Sequence, residues 1–144
     1  MAGRGEDVKG VVLFVCIENS SRSQTAEGFA RRIGLGALSA GTFPPTHVNP
    51  LVIEAMGEVG VDISKGETKE VTEKMIDNAS LVVLTDASLE TALQGNLRKR
   101  MRKKMVMWSV PDPQGRPIEE IRLVRDDIER RVKDLAKNFP VASR

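Results

Sequence analysis

Two kinds of apolar pattern alternate along the chain. Val11 to Val15 and Leu81 to Thr85 are continuous, mostly β-branched runs, too short for helices and suited to strands buried on both faces of a parallel sheet. Ala37 to Ala40 and Met105 to Val110 read as two further strands. Between them the apolar residues recur at steps of three and four. Thr25, Ala26, Phe29, Ala30 and Ile33 predict a helix with Ser23 as N-cap and with Gly34 and Gly36 as its stop. Asn49-Pro50 opens another, carrying Leu51, Ile53, Ala55, Met56 and Val59 and ended by Gly60. Short helices are expected over Val71 to Asp77 and Ser88 to Gly95. The clearest helix, Ile118 to Lys137, sets Ile121, Val124, Ile128, Val132 and Leu135 on one face and charges on the other.

Gly41 to Pro45 reads as a turn and Val61 to Gly66 as an irregular connection, while Pro111, Pro113, Gly115 and Pro117 make a rigid surface loop. Strands separated by helices predict right-handed crossovers. The expected fold is therefore α/β: a single domain with a four-stranded parallel sheet flanked by helices on both faces, binding ligands at the carboxyl ends of its strands. Residues 1–9 are expected to be a flexible N-terminal segment and residues 10–140 the domain.

Composition narrows the function. The 144 residues, 40% apolar and 29% charged, are ordinary for one globular domain. The longest apolar run, Val11 to Ile17, is far below the roughly 20 residues that span a bilayer, and the N-terminus lacks a signal-peptide core, so a soluble cytoplasmic protein without membrane contact is expected. Cys16 is the only cysteine, which excludes an intrachain disulfide and a cysteine-rich metal site. With no tyrosine, one tryptophan and four phenylalanines, the chain has little with which to stack nucleic-acid bases. The net charge of +2 conceals one basic run, Arg98 to Lys104, without which 16 basic residues would face 20 acidic ones. Such a run can bind nucleic acid or an acidic partner, but it also reads as a solvated loop or helix end before the fourth strand, and that reading is preferred. His47, in a proline-rich turn, reads as an exposed loop residue, and Trp108 as packing, with a role in walling a pocket left open by its nearness to Asp112.

The chemistry concentrates in Cys16-Ile17-Glu18-Asn19-Ser20-Ser21-Arg22-Ser23, between the first strand and the first helix. A loop wrapped around a helix N-terminus aims backbone N–H groups and the positive end of the helix dipole inward, which makes an anion site and favours a thiolate. Arg22 adds a planar fork for two oxygens of a tetrahedral oxyanion, with Cys16 placed apically for attack. Asn19 tolerates positive φ and can turn the loop, while Ser21 and Ser23 offer hydroxyls to the thiolate or the loop. Asp112, just past the fourth strand, is the natural proton donor for a leaving group.

Val11 to Arg31, VVLFVCIENSSRSQTAEGFAR, resembles the phosphate-binding loop of the low-molecular-weight protein tyrosine phosphatase superfamily, whose signature is Cys-x5-Arg-Ser. The resemblance continues through Ser39 to Phe43, Val48 to Met56, Val61 to Ser64 and Trp108 to Gly115, and is strongest to the arsenate-reductase-like branch. It implies the same four-stranded fold, with Cys16 as nucleophile, Arg22 as oxyanion clamp, Asp112 as general acid and then base, and Ile17 to Ser23 around the substrate. Some arsenate reductases of this kind bind potassium, and the matching positions are Asn19, Glu27, Ser39 and Asp62. Thioredoxin-coupled members also carry two further cysteines after the third strand. Here that region reads Leu84-Thr85-Asp86-Ala87-Ser88, so an arsenate adduct on Cys16 would need an external thiol or a thioredoxin- or glutaredoxin-type partner. The acid loop likewise lacks the aromatic residues that flank phosphotyrosine in the phosphatases: Gln114, Gly115 and Arg116 follow Asp112-Pro113. Arsenate reduction is the main expectation. Phosphomonoester hydrolysis through a Cys16 cysteinyl-phosphate, needing no cofactor, is the alternative, and an oxyanion- or partner-binding adaptor with a dormant site is a third class.

Overall fold

A computed structural model describes residues 11–44, 47–93 and 95–138. Residues 1–9, expected as a flexible arm, and residues 10, 45, 94 and 139–140, which fall in the expected domain, its Gly41 to Pro45 turn and its Ser88 to Gly95 helix, lie outside these residues. Strand β1 (Val11–Cys16) leads through a loop into α1 (Arg22–Arg32), followed by β2 (Gly36–Gly41), α2 (Pro50–Glu58) and the short α3 (Glu73–Asn78). Then come β3 (Leu81–Leu84), α4 (Leu89–Ala92), α5 (Gly95–Met101), a 3₁₀ turn over Arg102–Lys104, β4 (Met105–Met107) and the long α6 (Ile118–Asn138). The four strands form one parallel sheet in the order β2-β1-β3-β4.

The continuous apolar run of β1 explains its central place. Val12 and Phe14 enter one core with α1, α2 and α6, while Leu13 and Val15 enter another with Ile76, Leu89 and Met101. Both faces of the sheet are therefore covered by helices. Every strand is parallel, so the carboxyl ends of β1, β3 and β4 open on the same edge. There Cys16 ends β1, Asp86 follows β3 and Asp112 follows β4.

Local chemistry moves several boundaries. α1 starts at Arg22 with Ser21, not Ser23, as N-cap, because Thr25 N already donates to Ser21 O at 2.9 Å. α2 begins as its sequence predicts, with Asn49 Oδ1 accepting from Leu51 N at 2.9 Å. α3 starts two residues late: Val71 N is taken by Gly41 O at 2.9 Å, and Thr72 Oγ1 caps Met75 N. β4 stops at Met107, although Trp108 N still pairs with Leu84 O at 2.7 Å. The basic run Arg98–Lys104 forms the end of α5 and the 3₁₀ turn after it, so of the loop or helix end expected there the helix end is found. Its basic residues are structural in part: Arg100 pairs with Asp77 and Glu73, and Lys104 Nζ donates to Ile76 O and Ala79 O at the end of α3.

The proline-rich loop is tied down from both sides. Trp108 is buried against Phe14, with ring centroids 5.7 Å apart, and beneath Arg131 of α6. It packs the core of the sheet, and the cleft described below does not include it. Arg122 and Arg125 of α6 clasp Glu58 of α2 at 2.7 and 2.9 Å, and the Arg122 hydrogen bond is the main cause holding the Glu58 carboxyl down at about 2. Among the described residues no helix is long and apolar enough to cross a membrane.

Candidate active site

The loop between β1 and α1 folds around the Cys16 sulfur. Cys16 is 2% exposed, and Asn19 N–H donates to its Sγ at 2.9 Å. Ser23 Oγ lies 2.8 Å from the same sulfur. Because Asn19 Nδ2 donates to Ser23 Oγ at 2.8 Å, that oxygen is already an acceptor, and its own hydrogen is free to point at sulfur. A backbone N–H and a serine hydroxyl thus converge on Sγ and fix its position at the floor of the loop.

Asn19 makes this convergence. It adopts φ 58, the only non-glycine residue with positive φ among those described. This conformation is strained for most side chains but tolerated by Asn. Its Oδ1 accepts from Lys69 N at 2.8 Å and from Gln24 Nε2 at 3.4 Å, and Gln24 Nε2 also reaches Glu67 O at 3.0 Å. A strap over residues 61–71 therefore braces the loop from behind, itself pinned to the end of β2 by Gly41 N to Lys69 O at 2.8 Å. Gly41 also lies directly against the loop. A Cβ there would fall 2.7 Å from Ile17 O and 2.8 Å from Asn19 N.

Arg22 enters the site from the first residue of α1. Although 4% exposed, its guanidinium is held: Nη1 donates to Asp86 Oδ2 at 2.8 Å and to Val110 O at 2.9 Å. Nη2 lies 3.9 Å from Asp112 Oδ2. Asp112 is half exposed; Gln114 N–H donates to its Oδ1 at 3.0 Å and Arg116 Nε to its carbonyl at 2.8 Å, which fixes the acid loop. Cys16, Glu18, Ser20, Ser21, Arg22 and Asp112 line one small cleft, so the three residues singled out for catalysis meet there. Ile17 lies in the same loop, and its carbonyl accepts from Phe43 N at 2.7 Å. His47 is exposed and lines no part of this cleft.

Asp86 has no assigned role in the sequence reading, yet it fixes the arginine. Burial pushes its carboxyl up, but hydrogen bonds from the Ser88 N–H and hydroxyl, and from Arg22, outweigh that and hold it below its ordinary 3.8. Its signal was its position, immediately after a strand at the carboxyl edge of a parallel sheet, with Ser88 two residues on to close an Asx turn.

Asn19, Glu27, Ser39 and Asp62, which the resemblance links to potassium, fit a cation poorly. Glu27 has both oxygens occupied, by Ser39 Oγ at 2.5 Å and Arg31 at 2.7 Å. Asn19 Oδ1 is taken as described, and Asp62, exposed, accepts from Ser64 N and Oγ through Oδ1. Among the described residues no cluster of three or more His, Cys, Asp or Glu side chains is placed to hold a metal. The third-strand exit, Leu84 to Ser88, holds no thiol, and Cys16 is the sole cysteine.

With this geometry in place, comparison with known proteins is direct. Residues 11–142 match the family described as low molecular weight phosphotyrosine protein phosphatase. The chain is 40% identical over 127 residues to an arsenate reductase of Staphylococcus aureus, covering 83% of this chain and 91% of that protein. It is 31% identical to a solved arsenate reductase in its phosphate-binding state, with a TM-score of 0.78 over 90% of this chain and 98% of the other. A low molecular weight protein tyrosine phosphatase from T. tengcongensis is 26% identical, with a TM-score of 0.75 over 89% and 98% of the two chains.

Two variants test the loop's supports. Gly41→Ala should leave the far-ultraviolet circular dichroism intact but lower kcat/KM by about a hundredfold, because its Cβ meets backbone and displaces the loop that carries Asn19 N. Asp86→Asn should lower kcat/KM by about tenfold by releasing Arg22 Nη1. Since the folded Asp86 carboxyl titrates below 3.8, its contribution to stability is complete above that value and is lost as pH falls through the lower folded one. The Tm gap between wild type and Asp86→Asn should thus be constant from about pH 5 to 7 and close on acidification below about pH 3.8.

Proposed function

The chain belongs to the low molecular weight phosphotyrosine protein phosphatase family, and from that premise we propose that it is an arsenate-reductase-like enzyme whose Cys16 carries the oxyanion as a covalent adduct. The observation that carries this reading is the Cys16 sulfur, held by two hydrogen-bond donors at the floor of a cleft that Arg22 and Asp112 also line. The arsenate reductase name of its relatives supports the choice of substrate.

In the first step the Cys16 thiolate attacks arsenic. The S–As bond forms and one As–O bond breaks, the departing oxygen leaving as water after taking a proton from Asp112. Arg22 and the uncapped N–H groups at the start of α1 hold the remaining oxygens. An external thiolate then forms a disulfide with Cys16 sulfur. The S–As electron pair passes to arsenic, which leaves as arsenite, reduced from As(V) to As(III). A second equivalent of thiol releases Cys16 and carries away the disulfide, so two thiols supply the two electrons. With one cysteine in the chain, both must come from outside, from a small thiol or a thioredoxin- or glutaredoxin-type protein.

Phosphomonoester hydrolysis is the second reading, favoured by the approach of Asp112 Oδ2 to within 3.9 Å of Arg22 Nη2 at the cleft. Cys16 would displace an alcohol that Asp112 protonates, and Asp112 as base would then activate water against the cysteinyl-phosphate. The first step is common to both reactions.

Arsenate turnover with glutathione, mycothiol and thioredoxin systems, measured beside hydrolysis of p-nitrophenyl phosphate, separates them. Arsenite formation with at least one reductant is expected; phosphate release without arsenate turnover under any reductant would overturn the reductase reading. Cys16→Ser should abolish both activities, and Arg22→Ala should lower kcat/KM for both by about a hundredfold or more. Asp112→Asn should slow alkyl phosphates far more than p-nitrophenyl phosphate, whose leaving group needs little protonation. Equal losses for the two esters would remove Asp112 from the acid role.

A further inference from the structure

Ser21 stands out among the loop's hydroxyls because nothing among the described residues hydrogen-bonds with it. Serine at a helix N-cap ordinarily turns its oxygen to the N–H of the second or third helical residue. Ser21 is the N-cap of α1 and makes no such bond. Its residue is 5% exposed, and its Oγ is the one buried side-chain nitrogen or oxygen among the described residues without a hydrogen-bond partner. The neighbouring hydroxyls are engaged: Ser20 Oγ donates to Glu18 at 3.4 Å and Ser23 Oγ lies on the Cys16 sulfur.

A buried hydroxyl without a partner is disfavoured, and folded proteins keep few of them. The residue that carries this one lines the same cleft as Cys16, Arg22 and Asp112. Its missing partner is therefore a group that enters that cleft and offers lone pairs. A tetrahedral oxyanion above Cys16 does so on every oxygen, and the uncapped N–H groups beside Ser21 favour the same charge. We infer that the Ser21 hydroxyl is a substrate-binding donor, giving its hydrogen to a non-bridging oxygen of the arsenate or phosphate held over Cys16. This rests on the oxyanion chemistry proposed above and names one side chain that performs it. The bond strengthens as charge gathers on those oxygens during attack, so the hydroxyl contributes to kcat as well as to binding.

Ser21→Ala removes the hydroxyl and nothing else, and it makes opposite predictions for the free and the liganded protein. Without ligand, Tm should stay the same or rise, because no hydrogen bond is lost and an unpaired polar atom is gone. Titration calorimetry with inorganic phosphate should show about tenfold weaker binding than wild type, and kcat/KM for p-nitrophenyl phosphate should fall by at least as much. A Tm several degrees lower in ligand-free Ser21→Ala would make the hydroxyl a structural group and overturn the inference. So would phosphate affinity and kcat/KM within twofold of wild type. Failure of the wild-type protein itself to bind phosphate and arsenate would instead sink the oxyanion reading on which the inference stands.

Discussion

The site depends on one backbone conformation, the left-handed turn at Asn19. The Asn19 N–H points to the sulfur three residues earlier, and at φ 58 the chain then turns from that peptide into the first turn of α1. In the β or right-handed helical region the residues after Asn19 would leave in another direction, and Ser23 Oγ would not return to the sulfur. Such a conformation persists where its surroundings over-determine it. Here both ends of the amide are bonded, Nδ2 to Ser23 and Oδ1 to Lys69 N and Gln24, so Asn19 ties the loop, the first turn of α1 and the strap behind them into one unit. The nucleophile's environment is thus built from parts that come together only in the fold.

The electrostatics divide between two separate sets of donors. The sulfur is served by a backbone N–H and a serine hydroxyl, while the guanidinium of Arg22 is drawn aside by Asp86 and Val110 O. That separation matters for chemistry. Were Arg22 the thiolate's main partner, binding an oxyanion would first require breaking that ion pair. With Nη1 fixed behind the site, the fork's direction is set before substrate arrives, and little side-chain entropy is left to lose on binding. Asp86 is carboxylate-charged above its lowered titration, so the anchor holds through the neutral range.

The sequence made the periodic elements and the nucleophilic loop legible because both are local. A continuous apolar run, a polar loop and a helix lie within the 22 residues from Val11 to Arg32, and only five residues separate Cys16 from Arg22 within them. What stayed hidden is long-range. Asp86 reaches Arg22 across 64 positions, Lys69 N reaches Asn19 across 50, and Gly41 matters only because β2 ends beside the loop. None of these has a spacing that a reader of the chain could test. The helix start moved to Arg22 for a related reason: closing the loop leaves Ser21 O available to Thr25 N, so the helix begins before the residue with the better capping side chain. The potassium set illustrates the same limit, since four matching residue types do not reveal that Glu27 is bonded to Ser39 and Arg31.

The solitary cysteine decides what the second half-reaction requires. Cys16 is 2% exposed at the bottom of a cleft whose other lining residues are Glu18, Ser20, Ser21, Arg22 and Asp112. A chain with further thiols can bring one to the sulfur through its own interior. This chain cannot, so whatever ends the covalent adduct, whether water or a thiol, enters from solvent past those residues. The two candidate reactions are therefore alternatives of access and not of nucleophile. In the role proposed for it, half-exposed Asp112 would deprotonate an entering water, which favours hydrolysis of a phosphoryl adduct. Arsenic, unlike phosphorus, can accept an electron pair and leave as the reduced oxyanion, so the same adduct position becomes reductive as soon as a thiol, not water, reaches it.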